Sequence, residues 1–132
     1  LKNLNLYAGD WSKNTYSDKF LKDLYHNNRL TILPIKNTYQ PSGQSVTLQS
    51  MAVGTPVLIT KTEGFWDKNN FIDKKNIFFV KKNEIEIWEK SIKSSLNNEN
   101  YQKIIDEGVD LINRNYSLKK FNEILYNIVD KN

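Results

Sequence analysis

The fold of this 132-residue chain is decided by residues 39–67, which read YQPSGQSVTLQSMAVGTPVLITKTEGFWD. A polar loop leads into small and apolar residues at helical spacing, and a short apolar run follows. This pattern predicts a helix from about Gly43 to Val53 and a strand from Val57 to Thr60. The stretch is therefore interpreted as a loop, a helix and a strand that together form one αβ unit.

The boundaries of this unit each have a local cause. Ser42 is the expected N-cap, because its hydroxyl can accept a hydrogen bond from an amide of the first helical turn. Gly54 can adopt the left-handed conformation that ends a helix. Pro56 cannot continue a helix, so the chain must leave in an extended conformation.

The start of the predicted helix is built from small residues, namely Ser42, Gly43 and Ser45, with Gln44 as the one larger side chain. Unpaired amides and the positive end of the helix dipole favour an anion there, most naturally a phosphate. Gln49 lies one turn further on the same face, and helical side chains lean toward the N-terminus, so its amide is expected to point back at this pocket. The alternative is an ordinary capped helix with a surface glutamine.

Residues 48–58, LQSMAVGTPVL, resemble the donor-binding motif of the retaining, nucleotide-sugar-dependent GT-B glycosyltransferases of group 1 type. In that family two glutamates separated by seven residues precede a helix that ends Met-Ala-x-Gly-x-Pro-Val. The resemblance implies that backbone amides at the helix start hold the diphosphate, that the preceding loop contacts the sugar, and that the second glutamate binds the ribose. By position, Gly43, Gln44 and Ser45 would face phosphate and sugar, and Gln49 would face the ribose.

This chain departs from the family motif at both glutamates, which are replaced by Pro41 and Gln49. A glutamine carbonyl still accepts from a ribose hydroxyl, but it lacks the charge-assisted strength of a carboxylate. Proline offers no comparable group, so Gln40 or Thr38 is expected to reach the sugar instead.

The length and composition indicate one soluble domain spanning residues 1–132, which the order of its predicted elements assigns to the α/β class. The apolar fraction is 39% and the mean hydropathy is −0.63, and we expect neither a membrane span nor a signal peptide. No cysteine is present, which excludes disulfides and thiol catalysis. The single histidine, His26, is expected near a helix end rather than in a catalytic role, and no ligand cluster suggests a metal.

The net charge of +4 does not by itself indicate a nucleic-acid partner. There are 17 lysines against two arginines, and the lysines are scattered along the chain. Solvated faces are the preferred interpretation, because phosphate-reading surfaces favour arginine. We therefore expect no nucleic-acid binding.

The remaining segments alternate between strand and helix patterns. The predicted strands are Asn3–Ala8, Leu30–Ile35 and Asn76–Val80, and a helix from about Asp18 to Asn27, capped by Ser17, separates the first two. Three further helices are expected: one opened by a capping box of Asn83 and Glu86 with Ile85, Trp88, Ile92 and Leu96 as its apolar stripe, one over Glu99–Asn113, and one capped by Ser117. The stripes of the last helices are interpreted as core or docking faces.

Residues 61–67 follow the predicted strand that ends at Thr60, so they belong to the edge where ligands bind in parallel sheets. Glu63 and Gly64 are therefore candidate rim residues. Phe65 and Trp66 either present an aromatic face to a sugar or pack into the core, and the sequence leaves both interpretations open.

The element order predicts a doubly wound, Rossmann-like parallel sheet with C-terminal helices. The resemblance implies part of a GT-B C-terminal domain from a larger enzyme, which transfers a sugar from a nucleotide-sugar donor, without a further cofactor, to a saccharide or lipid-linked acceptor held by an N-terminal domain. We expect this chain alone to bind weakly and to be inactive, and the full-length enzyme to be cytoplasmic, with peripheral contact to the inner membrane face. A GT-B sugar-nucleotide epimerase and a non-catalytic flavodoxin-like interaction module are the alternatives.

Overall fold

The structure is a computed structural model, and it describes residues 5–7 and 16–130. These residues form an α/β fold of three strands and five helices. In chain order the elements are α1 (Asp18–His26), β1 (Thr31–Leu33), α2 (Gln44–Ala52), β2 (Val57–Thr60), β3 (Phe78–Val80), α3 (Ile85–Leu96), α4 (Tyr101–Asn115) and α5 (Leu118–Val129).

The three strands form one parallel sheet in the order β1-β2-β3. Thr31 pairs with Val57, and Leu58 pairs with Phe78. All four residues of the central strand β2 are buried, which is typical of a parallel strand covered on both faces.

Alternate residues of the strands enter two separate hydrophobic clusters. Val57 and Ile59 pack with Met51 of α2, whereas Leu58 packs with Phe78 and with residues of α3. Because successive strand side chains point to opposite faces, helices cover the sheet on both faces. This arrangement is compatible with a Rossmann-like fold.

Several helix boundaries agree with the sequence prediction. Ser17 accepts from the amide of Phe20 at the start of α1, and Ser117 accepts from the amide of Lys120 at the start of α5. Gly54 has φ = 83°, so the predicted left-handed residue after α2 is confirmed.

The predicted N-cap of α2 is wrong by one residue. The cap is Gly43, with φ = 79° and no side-chain hydrogen bond, rather than Ser42. A Cβ at Gly43 would lie 2.8 Å from the Cδ1 of Ile35 and 3.1 Å from that of Ile59. Only a glycine allows the loop to turn this close to the sheet, and this contact moves the start of the helix past Ser42.

The predicted capping box of α3 is also absent. Glu84 is the N-cap, without a side-chain hydrogen bond, and the side chain of Asn83 bonds instead to the ends of the strands. Ile85 is 82% exposed, so it does not belong to the apolar stripe, which runs through Ile87, Trp88 and Ile92.

The outer strands and α4 differ modestly from prediction. β1 and β3 are each three residues long and therefore shorter than predicted, and α4 begins and ends two residues later. Half of the predicted strand Asn3–Ala8, namely residues 3, 4 and 8, lies outside the described residues; residues 5–7 are exposed and carry no regular secondary structure, so no strand is present at these three positions. No helix in the described part of the chain is long and apolar enough to cross a membrane.

Candidate functional site

The candidate site lies at the carboxyl edge of the sheet, where the chain leaves all three parallel strands. The loops after β1 and β2 are joined by backbone contacts there. The amide of Gly64 donates to the carbonyl of Thr38 at 2.8 Å, and the amide of Glu63 donates to the Oδ1 of Asn37 at 3.2 Å. A Cβ at Gly64 would clash with the carbonyl of Tyr39, so the two loops fit together only with glycine at this position.

The other predicted loop residues make local contacts at this junction. The hydroxyl of Thr38 accepts from the amide of Gln40 at 3.1 Å. Glu63 forms a side-chain hydrogen bond with Tyr39, which raises the pKa of that phenol. Gln40 is exposed. The structure therefore brings the predicted residues Thr38, Glu63 and Gly64 into one pair of loops.

The start of α2 has no capping side chain. Gln44 and Ser45 are exposed, Ser42 is half-buried, and no side-chain group bonds to the first turn among the described residues. The amides of the first helical turn have no partners within the helix, and the helix dipole adds a partial positive charge. This helix start is therefore chemically suited to a small anion.

Gln49 faces the neighbouring helix α1. Its Oε1 lies 3.5 Å from the Oη of Tyr25, and burial raises the pKa of that tyrosine. Gln49 itself is exposed. Its carbonyl is thus directed at α1. The sequence pattern predicts the other direction, back along α2 toward the helix start.

A cleft of about 600 Å³, lined by polar and charged residues, lies beside the ends of β2 and β3. We call it the lysine cleft; its lining includes Lys61, Lys68, Lys81, Lys82, Glu63 and Asn83. Of the predicted site residues, Glu63 lines this cleft, whereas the described residues of α2 do not.

The topology explains why a crevice lies beyond the ends of β2 and β3. After β2 the chain turns to one face, where Phe65 and Phe71 join the cluster containing Met51. After β3 it turns to the other face, where α3 packs on Leu58 and Phe78. Connections that leave adjacent strands toward opposite faces create a crevice at the carboxyl edge, the usual place for a ligand in parallel sheets.

Asn83 fixes one wall of the cleft. Its Oδ1 accepts from the hydroxyl of Thr60 at 2.8 Å and from the indole N–H of Trp88 at 3.0 Å, and its Nδ2 donates to the carbonyl of Ile35 at 2.7 Å. One side chain therefore connects the exits of β1 and β2 to α3.

The structure settles the two interpretations of Phe65 and Trp66 in favour of the core. Phe65 is 6% exposed, and the ring of Trp66 stacks on it with centroids 4.1 Å apart. The next residue, Asp67, accepts hydrogen bonds from Tyr116 and Asn70. Burial alone would raise the pKa of Asp67, but these hydrogen bonds outweigh it and lower the pKa below its usual value.

The sequence interpretation missed the grouping of the lysines. Lys61 directly follows β2, and Lys81 and Lys82 directly follow β3. Because parallel strands end at the same edge, these positions alone could have predicted that the lysines line one cleft there. Lys68 and Asn83 gave no such signal, because their places depend on an irregular connection and on tertiary hydrogen bonds.

Comparisons with models of protein families, with curated proteins and with solved structures find no match to this chain. The three-stranded parallel sheet and the geometry of its carboxyl edge therefore carry the functional argument.

Proposed function

We propose that this domain is the nucleotide-sugar-binding half of a GT-B-type retaining glycosyltransferase. In the full-length enzyme, a second domain would bind a saccharide or lipid-linked acceptor, and the sugar would pass to an acceptor hydroxyl across the cleft between the two domains. The observation that carries the proposal is the bare start of α2 at the edge of a parallel sheet, within the stretch that resembles the donor-binding motif.

The role of this domain in the reaction is to stabilise negative charge. As the bond between sugar and diphosphate breaks, negative charge accumulates on the departing phosphate oxygens. Amides of Gln44 and Ser45, fixed by the helix, would donate to these oxygens without reorganising. Gln49 would accept from a ribose hydroxyl once it exchanges its contact with Tyr25 for the nucleotide.

Ser45 offers the sharpest test because it is exposed in the first turn of α2. Ser45→Asp adds a carboxylate where a helix favours one, so the helix gains about 0.3–1 kcal/mol while a bound diphosphate is repelled. We expect UDP, GDP or ADP binding, measured by ligand-detected NMR and thermal shift, to weaken by about tenfold or more. Ser45→Asn is the matched neutral control and is expected to retain most of the affinity.

The Gln49→Ala variant distinguishes the contribution of the ribose contact from that of the phosphate contacts. Loss of one neutral hydrogen bond predicts about three- to tenfold weaker binding of a nucleoside diphosphate, with pyrophosphate affinity unchanged. The absence of any nucleotide binding at millimolar concentration in the unmodified chain would reject the proposal. Gly43→Asp is unsuitable as a test, because its Cβ would crowd Ile35 whether or not a ligand binds.

The exposed apolar side chains of α5, such as Phe121 at 60% and Leu125 at 47%, favour one other function, a non-catalytic interaction module. Such a module does not need an anion site at α2. Equal nucleotide response in the Ser45→Asp and Ser45→Asn variants would favour it over the donor-binding proposal.

A further inference from the structure

The lysine cleft gathers positive charge from separate segments of the chain. Lys61 follows β2, Lys68 lies in the connection between β2 and β3, and the pair Lys81 and Lys82 follows β3. The one carboxylate in the cleft lining of the described residues is that of Glu63. Four ammonium groups thus share a space that holds one carboxylate.

Contacts within the protein leave most of this charge uncompensated. Lys68 donates to the backbone carbonyl of Glu63 at 2.6 Å, and Lys61 lies 5.5 Å above the ring of Phe79. Lys82 is 3.8 Å from the carboxylate of Glu84, and both side chains are well exposed, so this pair is weak. Among the described residues, Lys61 and Lys81 have no carboxylate partner.

The backbone around the cleft is held in place. Thr60 and Thr62, in its lining, are 3% and 7% exposed, and the hydroxyl of Thr60 is fixed by Asn83 at 2.8 Å. The amide of Lys61 donates to the carbonyl of Val80 at 2.8 Å, which ties the exits of the two strands together. The lysines therefore extend from rigid positions, and a ligand would not have to order the loops that carry them.

We propose that the lysine cleft binds the phosphate group of a small phosphorylated molecule, at a site separate from the start of α2. Lysine ammonium groups act as compact point charges and suit a phosphate dianion without the planar geometry that arginine imposes. A volume of about 600 Å³ matches a phosphorylated small molecule. This inference goes beyond the proposed donor site and does not depend on it.

Pyrophosphate titration of the chain, followed by backbone amide NMR at about 0.1 M salt, tests the site. We expect saturable shifts at Thr62 and at Lys81–Asn83. Lys81→Gln combined with Lys82→Gln should weaken binding at these amides by about tenfold or more, because two charged contacts to the anion are lost. Ser45→Asp, which blocks the start of α2, should leave these shifts unchanged, so failure of this site is distinguishable from failure of the donor site.

The matched control is Lys119→Gln with Lys120→Gln, which removes the same charge from the first turn of α5. We expect the control variant to change the affinity less than about twofold, because neither lysine lines the cleft and salt screens more distant charges. Equal losses in the two double variants, or shifts confined to residues 44–46, would overturn the proposal. Thermal unfolding of each variant checks that the fold is retained.

The phosphate could come from a soluble ester or from a lipid headgroup, and vesicles separate these sources. Co-sedimentation with phosphatidylcholine vesicles containing phosphatidic acid, lost in the Lys81→Gln/Lys82→Gln variant, assigns the phosphate to a headgroup. Saturable pyrophosphate binding without co-sedimentation assigns it to a soluble ester. If neither probe binds, the cleft is not a phosphate site.

Discussion

Helices α4 and α5 have similar patterns of apolar residues, but the apolar residues of α4 are largely buried and those of α5 are exposed. α4 buries Ile104, Gly108, Leu111 and Ile112 against the rest of the domain, whereas no residue of α5 is buried among the described residues. Both helices carry apolar residues at three- and four-residue spacing, and that spacing determines which side of a helix seeks cover. Whether that side is buried depends on what the rest of the fold places beside it.

The residues that bury α4 belong to both hydrophobic clusters of the domain. Ile104 packs with Leu58, Phe78 and Val80 on one face of the sheet, whereas Leu111 joins the cluster on the other face. Glycine at position 108 allows α4 to approach the turn before β3: a Cβ there would lie 3.1 Å from the carbonyl oxygen of Asn76. α4 therefore stabilises both halves of the core.

The largest effect is expected from Ile104→Ala. Ile104 is 1% exposed, and its truncation removes buried methyl groups and leaves a cavity beside the sheet. We expect the free energy of unfolding to fall by about 3 kcal/mol, measured by urea denaturation. A loss below about 1 kcal/mol would show that α4 contributes no more than an ordinary surface helix.

The second prediction concerns the close approach at Gly108. Gly108→Val places branched methyl groups against the backbone of Asn76 and the Cε of Met51, both 3.1 Å from the first added carbon. We expect a loss of about 1–3 kcal/mol in the free energy of unfolding. Gly108→Ala is the control: the gain in helix propensity offsets a contact that Met51 can partly relieve, so its change should be smaller.

Local sequence signals predicted much of this fold. Val57–Thr60 was predicted with its observed bounds, because Gly54 and Pro56 fix where helix becomes strand. Ser17 and Ser117 were predicted as caps, because a cap depends on amides three residues away. In both cases the deciding contacts lie within a few residues.

The two wrong helix caps and the missed contacts of the candidate site involve residues distant in sequence. Asn83 bonds to Ile35, 48 residues away, and to Thr60, 23 residues away, rather than to its own helix. Gly43 caps α2 because of Ile35 and Ile59. For the candidate site, the rule on parallel strands located the edge and its loops, but not the group of lysines or the contact of Gln49 with Tyr25.

The third prediction concerns the junction between the two helices, where the hydroxyl of Tyr116 donates to the carboxylate of Asp67. Burial and this hydrogen bond raise the pKa of Tyr116 well above its ordinary value, and hydrogen bonding lowers that of Asp67. We expect Tyr116→Phe to cost about 1 kcal/mol of unfolding free energy at neutral pH. The variant therefore tests whether this hydrogen bond stabilises the end of α4.

The pH dependence of this difference has a defined sign. The contribution of Asp67, whose folded pKa is lowered, is present above its unfolded pKa of about 4 and is lost as the pH falls through the folded value. The contribution of Tyr116, whose folded pKa is raised, is present below about pH 10 and is lost as the pH rises further. The stability difference between the two proteins should therefore be largest between about pH 4 and pH 10. A constant difference from pH 2 to pH 7 would contradict the role of the Asp67 charge.

The smallest effect is expected on α5, from Phe121→Gln combined with Leu125→Gln. These side chains are 60% and 47% exposed, so little apolar area returns to water on unfolding, and glutamine is a good helix former. We expect the free energy of unfolding, measured by urea denaturation, to change by no more than about 0.5 kcal/mol. A loss approaching that of Ile104→Ala would mean that the apolar face of α5 is covered in solution, and the contrast between the two helices would then disappear. An unchanged stability would show that helices with the same spacing of apolar residues differ only in what the fold places against them.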